Sequence, residues 1–97
     1  MTIPAANSSS AIGQLRCEIE ETDRAIVDLL ARRVGLARRI GGEKACAGKP
    51  TLDPAHEARV VRRAASFARD AGLDPEIVRD LYWHLVRLCR TAQLVDR

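Results

Sequence analysis

QLRCEIEETDRAIVDLLARRVGLARRI, residues 14–40, is the stretch that decides the fold. It holds no proline, and its only glycine is Gly35, which costs about 1 kcal/mol relative to alanine in a helix interior. Stepping alternately by four and three from Leu15 gives Leu15, Ile19, Thr22, Ile26, Leu29, Arg33, Leu36 and Ile40. This is an a/d seam of the kind that faces a helical partner. The spacing predicts one helix of roughly 30 residues, about 45 Å long at 1.5 Å per residue. The remainder of a 97-residue chain cannot cover a rod of that length. A coiled-coil-like dimer follows as the expectation.

Arg33 breaks the seam. Burying a guanidinium without a counter-charge is costly, so Arg33 needs an acidic partner or an anion to hold. Lys44 falls eleven residues further on, three helical turns away and on nearly the same face. Two cations on an apolar stripe read as a buried site for a small negatively charged molecule. The plainer alternatives stay open. Arg33 pairs with Glu57 or another core acid, and Lys44 is a solvated lysine that complements the helix dipole.

Working outward, Ser9 or Ser10 can cap a helix that begins near Ala11. Residues 1–10 (MTIPAANSSS) then form a disordered lead, and residues 11–97 form one helical domain. The lead lacks the charged start and apolar run of a signal peptide. Gly41-Gly42 weakens the helix and Ala47-Gly48-Lys49-Pro50 ends it. Asp53 as N-cap and Pro54 at the first helical position open a second helix to about Ala71. Val61, Ala64, Ala68 and Ala71 share one of its faces, and Gly72 stops it. Asp74-Pro75 repeats the signal and opens a third helix to about Val95. Its apolar line is Val78, Leu81, Leu85, Leu88, Ala92 and Val95. No segment reads as a strand. The fold class is all-α, one long helix and two shorter ones per chain.

Aromatic residues are only 3% (Phe67, Tyr82, Trp83), which argues against an aromatic-platform RNA binder. The net charge of +3 is spread among interleaved acids, so no nucleic-acid partner is expected. Cys17, Cys46 and Cys89 form no CxxC pair and no disulfide framework, and two distant histidines complete no metal pattern. No apolar run approaches the ~20 residues that span a bilayer. A cytoplasmic protein without metal or cofactor is the reading.

Further polar residues fall on inward lines. Glu57 precedes Val61 by four. Gln93 continues the line Tyr82, Val86, Cys89, which flanks the apolar stripe of helix three. Asp53 as a cap alone, Gln93 and His56 as surface residues, and Cys89 as a small buried hydrophobe are the simpler explanations. Arg16 adds a geometric constraint. It lies seventeen residues from Arg33, about 25 Å along one helix and roughly 100° around it. One helix cannot bring both to a small ligand, but an antiparallel second copy could lay its Arg16 near Arg33 and Lys44. A site shared by these residues is built from two chains.

At these spacings the chain resembles the all-helical chorismate mutase family. Residues 14–33 have the form L-R-x-x-I-x-x-x-D-x-x-I/L-x-x-L-L-x-x-R. IGGEK (residues 40–44) resembles I/V-G-x-x-K, Asp53 and Glu57 fit D-x-x-x-E, and Gln93 falls at the family's late glutamine. The match covers residues 12–94. The resemblance implies an intertwined homodimer of three-helix chains with two active sites. Arg33 and the partner chain's Arg16 would bind the two carboxylates of chorismate. Lys44 would contact a carboxylate and the ether oxygen, and Gln93 would donate a second hydrogen bond to that oxygen. Asp53 and Glu57 would recognise the group on ring carbon four.

The implied reaction, chorismate to prephenate, is a [3,3]-sigmatropic rearrangement. It needs the substrate held in a compact diaxial chair and fixed donors where charge grows on the ether oxygen. It requires no nucleophile, metal or cofactor. His56 stands where the family usually has arginine, and Cys89 where it often has serine or another small polar residue. Both fall at the ring end of the implied pocket. A 4-amino-4-deoxychorismate mutase is therefore the first alternative and an isochorismate pyruvate lyase the second. A non-catalytic helical dimerisation module is the alternative from outside catalysis. Many stand-alone members are activated by the first enzyme of the shikimate route. The resemblance allows such a partner, and no residue here points to it.

Overall fold

A computed structural model describes the backbone of residues 3–95 and the side chains of residues 10–94. It holds three helices, α1 (Ile3–Cys46), α2 (Pro54–Asp70) and α3 (Pro75–Val95), and among the described residues no strand. None of these helices is long and apolar enough to cross a membrane. The chain divides into two compact units, Met1–Ala31 and Arg32–Arg97.

The first unit is helical from Ile3, so the start expected near Ala11 and the cap at Ser9 or Ser10 are corrected. Pro4 falls in the first turn, where its missing N–H has no helical acceptor to lose. Through residues 10–29 every side chain is exposed. That includes the seam residues Leu15 (58%), Ile19 (60%), Ile26 (49%) and Leu29 (62%). Among its described residues the ion pair is a local one, Arg24 with Glu20 at 3.8 Å, and an isolated helix is marginal in water.

In the second unit, α2 packs against α3. Asp53 caps α2 as expected, Oδ1 accepting from the His56 N–H at 3.2 Å. Asp74 does the same for α3, accepting from the N–H groups of Glu76 (2.9 Å) and Ile77 (3.4 Å). Both α1 and α2 end in glycine at positive φ, Gly48 at 69° and Gly72 at 76°. Each end closes with the same pair of backbone bonds. Gly48 N–H meets Ala45 O and Lys49 N–H meets Lys44 O, while Gly72 N–H meets Arg69 O and Leu73 N–H meets Ala68 O. This Schellman arrangement needs the left-handed residue that glycine supplies without strain.

The core consists of small and β-branched residues. Val60, Val61, Ala64, Ala65 and Ala68 of α2 are buried, as are Val86, Cys89 and Ala92 of α3, with Tyr82 packed against Val60, Val61 and Val86. Two expectations shift. Ala71 is the C-cap of α2 and exposed, not part of the buried face. On α3 Ala92 of the expected line is buried and Val78 and Leu85 are half-buried, but Leu81 and Leu88 are exposed at 61% and 49%, while Val86 and Cys89, on the line read as flanking, are buried. The apolar surface of α3 is two rows wide, and Val86 of one row packs with Val60 and Val61 of α2.

Candidate active site

Helix α1 presents Ala37 and Gly41 as buried positions on the stretch that carries Arg33 and Lys44, one helical face repeated every three to four residues. Gly41 is in helical conformation, so its value lies in the missing side chain. A Cβ there would lie 3.3 Å from Cβ and Cγ of Gln93 and 3.4 Å from its Cα. The glycine therefore lets the end of α3 approach α1 and sets the position of Gln93.

A cleft of about 460 Å³ opens along this approach. Its walls include Arg33 and Lys44 from α1, Asp53, His56 and Glu57 from the start of α2, and Cys89, Arg90 and Gln93 from α3. Seven expected site residues thus converge within one unit. Arg16 belongs to the other unit, where it is exposed.

The electrostatics overturn one alternative. Glu57 does not pair with Arg33. Arg90 takes it with two parallel bonds, Nε to Oε2 at 3.0 Å and Nη2 to Oε1 at 2.5 Å. This fork-on-carboxylate geometry is the strong form of the charged hydrogen bond. Hydrogen bonding to Glu57, then its charge, raises the Arg90 guanidinium further above its already high range. The sequence reading missed Arg90, although it stands three residues before Gln93 and hence on the same face of α3. Arg63, also in the cleft wall, was missed in the same way, seven residues after His56.

Arg33 is half-buried and has no carboxylate within ion-pair reach among the described residues. Its Nη1 donates to the buried Cys89 Sγ at 2.9 Å, and its Cζ sits 5.9 Å from the centroid of the Tyr82 ring. A thiol and a ring face orient the guanidinium without neutralising it. Lys44 is also half-buried and is held by its Nζ, which donates to the Thr51 carbonyl at 2.8 Å. The same lysine's own carbonyl closes the Schellman turn. It is a half-buried cation in the last turn of α1, tethered at the cleft wall.

Arg33, Lys44, Arg63 and Arg90 face Asp53 and Glu57, so the cleft carries an excess of two positive charges. With Arg90 engaged by Glu57, the unneutralised cations nearest the buried floor are Arg33 and Lys44. The arrangement is chemically suited to a small dianion. It offers cations on α1, an amide on α3, and two acids at the start of α2.

Residues 15–94 match the family described as chorismate mutase type II. The chain is 35% identical over 83 residues to the 4-amino-4-deoxychorismate mutase of Streptomyces venezuelae, an overlap of 84% of this chain and 81% of that protein. It is likewise 35% identical over 95 residues to the 4-amino-4-deoxychorismate mutase of Streptomyces pristinaespiralis, spanning 98% of this chain and 71% of that one. A third relative is the T-protein of Enterobacter agglomerans, 30% identical over 79 residues, 81% of this chain and 21% of that protein.

Proposed function

The chain belongs to the chorismate mutase type II family of isomerases, and we propose that it catalyses the [3,3]-sigmatropic rearrangement of a chorismate-type dicarboxylate. The observation that carries this reading is Arg33, half-buried, oriented by Cys89 and Tyr82, and left without a carboxylate while Glu57 is taken by Arg90. An uncompensated guanidinium on an apolar wall is stable when an anion completes it.

In chorismate to prephenate conversion, one carbon–oxygen bond breaks as one carbon–carbon bond forms, in a single step within one molecule. Arg33 binds one carboxylate. Lys44 reaches a carboxylate and the ether oxygen, where negative charge grows. Gln93 donates a second hydrogen bond to that oxygen. Arg33 and Lys44 are held before substrate arrives, so they favour the transition state without reorganising. Arg16 of a second copy binds the other carboxylate and holds the chair closed. Asp53 and Glu57 accept from the substituent on ring carbon four.

The same reading makes the protein a homodimer. Its support is the bare seam of Leu15, Ile19, Ile26 and Leu29 together with the exposed Leu81 and Leu88. A second copy covers such surface at about 25 cal/mol per Å² of apolar area. A second substrate has specific support. Two relatives are named 4-amino-4-deoxychorismate mutases, and Asp53 and Glu57 suit an amine as well as a hydroxyl.

The test is turnover of chorismate, 4-amino-4-deoxychorismate and isochorismate in parallel, with Arg33→Ala and Lys44→Ala assayed as folded dimers. Rearranged product from chorismate or its amino analogue, lost in both variants, is the expected result. Pyruvate release from isochorismate, or full activity in either variant, contradicts it.

A further inference from the structure

Glu57 and Arg90 form the strongest polar contact in the cleft, and the reaction outlined above gives Arg90 no part. The pair ties the first turn of α2 to the last turns of α3. The Glu57 side chain is 17% exposed and that of Arg90 38%. Two N–H groups of Arg90 occupy one lone pair on each oxygen of Glu57. Each oxygen keeps a second lone pair, so Glu57 still accepts from a ligand but cannot rotate to meet it. Arg90 also places a full positive charge against Glu57, in the wall that also holds Asp53. It cancels one of the two negative charges there and leaves Asp53 as the surplus.

Resting on the proposed rearrangement, we infer that Arg90 is a positioning and specificity residue for the substituent on ring carbon four. It fixes the carboxylate of Glu57 as an acceptor, and its charge disfavours a cationic substituent relative to a neutral one. A hydroxyl needs only a placed acceptor. An ammonium gains from both carboxylates and is opposed by Arg90 through Coulomb repulsion, which falls only slowly with distance in a partly desolvated cleft. Removing the charge of Arg90 therefore moves selectivity toward the ammonium substrate, whichever substrate the unaltered protein prefers. The high pKa of Arg90 beside Glu57 keeps that charge present throughout the working pH range.

The experiment measures kcat/KM for chorismate and for 4-amino-4-deoxychorismate, and binding of each by calorimetry, in the full-length dimer. Arg90→Gln should raise the amino-to-hydroxyl selectivity ratio about tenfold, equivalent to about 1.4 kcal/mol. Arg90→Lys keeps the charge but loses the two-pronged geometry. It should lower kcat/KM for both substrates while leaving their ratio within about twofold of the unaltered protein. Arg90→Met repeats the removal of charge with an apolar stem if Arg90→Gln does not fold. A purely structural Arg90 would lower both substrates alike, so an unmoved ratio in the neutral variants overturns the inference. A ratio shifted equally by Arg90→Lys overturns the role of charge. Binding of both compounds without turnover refutes the proposed reaction, and the ratio of binding constants then tests Arg90 by itself. Binding of neither compound overturns both.

Discussion

Replacing Gly41 by alanine separates packing from helix propensity at the point where α1 meets Gln93. A helical glycine gains about 1 kcal/mol when it becomes alanine. Gly42, the next residue, offers the control, because a Cβ there has nothing within 4 Å. Gly42→Ala should therefore be more stable than the parent by about 1 kcal/mol, with unchanged turnover. Gly41→Ala receives the same propensity gain but drives its Cβ to 3.3 Å from two side-chain atoms of Gln93 and 3.4 Å from its Cα. Two of these atoms, Cβ and Cα, are fixed to the α3 backbone, so α3 has to yield by a few tenths of an ångström. Overpacking of this kind costs about 1 to 3 kcal/mol. Gly41→Ala should thus fall below Gly42→Ala by that amount in urea denaturation of both variants at one protein concentration. Displacing the Gln93 amide should lower kcat about tenfold to a hundredfold, since misplacement of a positioned group by 1 Å costs about a hundredfold. Equal stability and equal kcat in the two variants would refute the close approach as the device that places Gln93.

The caps separate in a similar way. Asp74→Ala should cost about 1 kcal/mol of stability and leave kcat/KM unchanged, whereas Asp53→Ala should cost the same and also depress kcat/KM, as read by denaturation and steady-state assay. Ile19→Glu combined with Ile26→Glu puts charge into the bare seam. The variant should sediment as a monomer with reduced helical circular dichroism and no turnover, because an uncovered helix of this kind is marginal in water. An active monomer would contradict a site completed by a second chain.

Much of the fold was legible because its signals are local. Asp53-Pro54, Asp74-Pro75, Gly48 and Gly72 mark helix ends through backbone chemistry that depends on a few adjacent residues, and each acts as read. The start of α1 was misread because Ser9 and Ser10 look like caps, although serine is also tolerated inside a helix. On α3, periodicity located the apolar surface but not the row that α2 covers. That choice depends on how α2 and α3 cross, which brings Val86 against Val60 and Val61 and leaves Leu81 and Leu88 exposed. In the site, Arg33, Lys44, Asp53, Glu57 and Gln93 line one cleft. The identity of the partner of Glu57 was not legible. Spacing puts Arg90 on the correct face, but only the crossing of α2 and α3 decides which of several arginines reaches the carboxylate.

The central claim is that each site takes Arg33 from one chain and Arg16 from the other. Mixing tests this directly. Arg16→Ala and Arg33→Ala chains, each inactive alone, are unfolded together in equal amounts and refolded. Half of the dimers then carry both kinds of chain, and each of these has one site with both arginines and one with neither. The account predicts recovery of about a quarter of the parent activity, the fraction set by two-fold symmetry and random pairing. Mixed dimers that form but show no activity above either variant alone would contradict it.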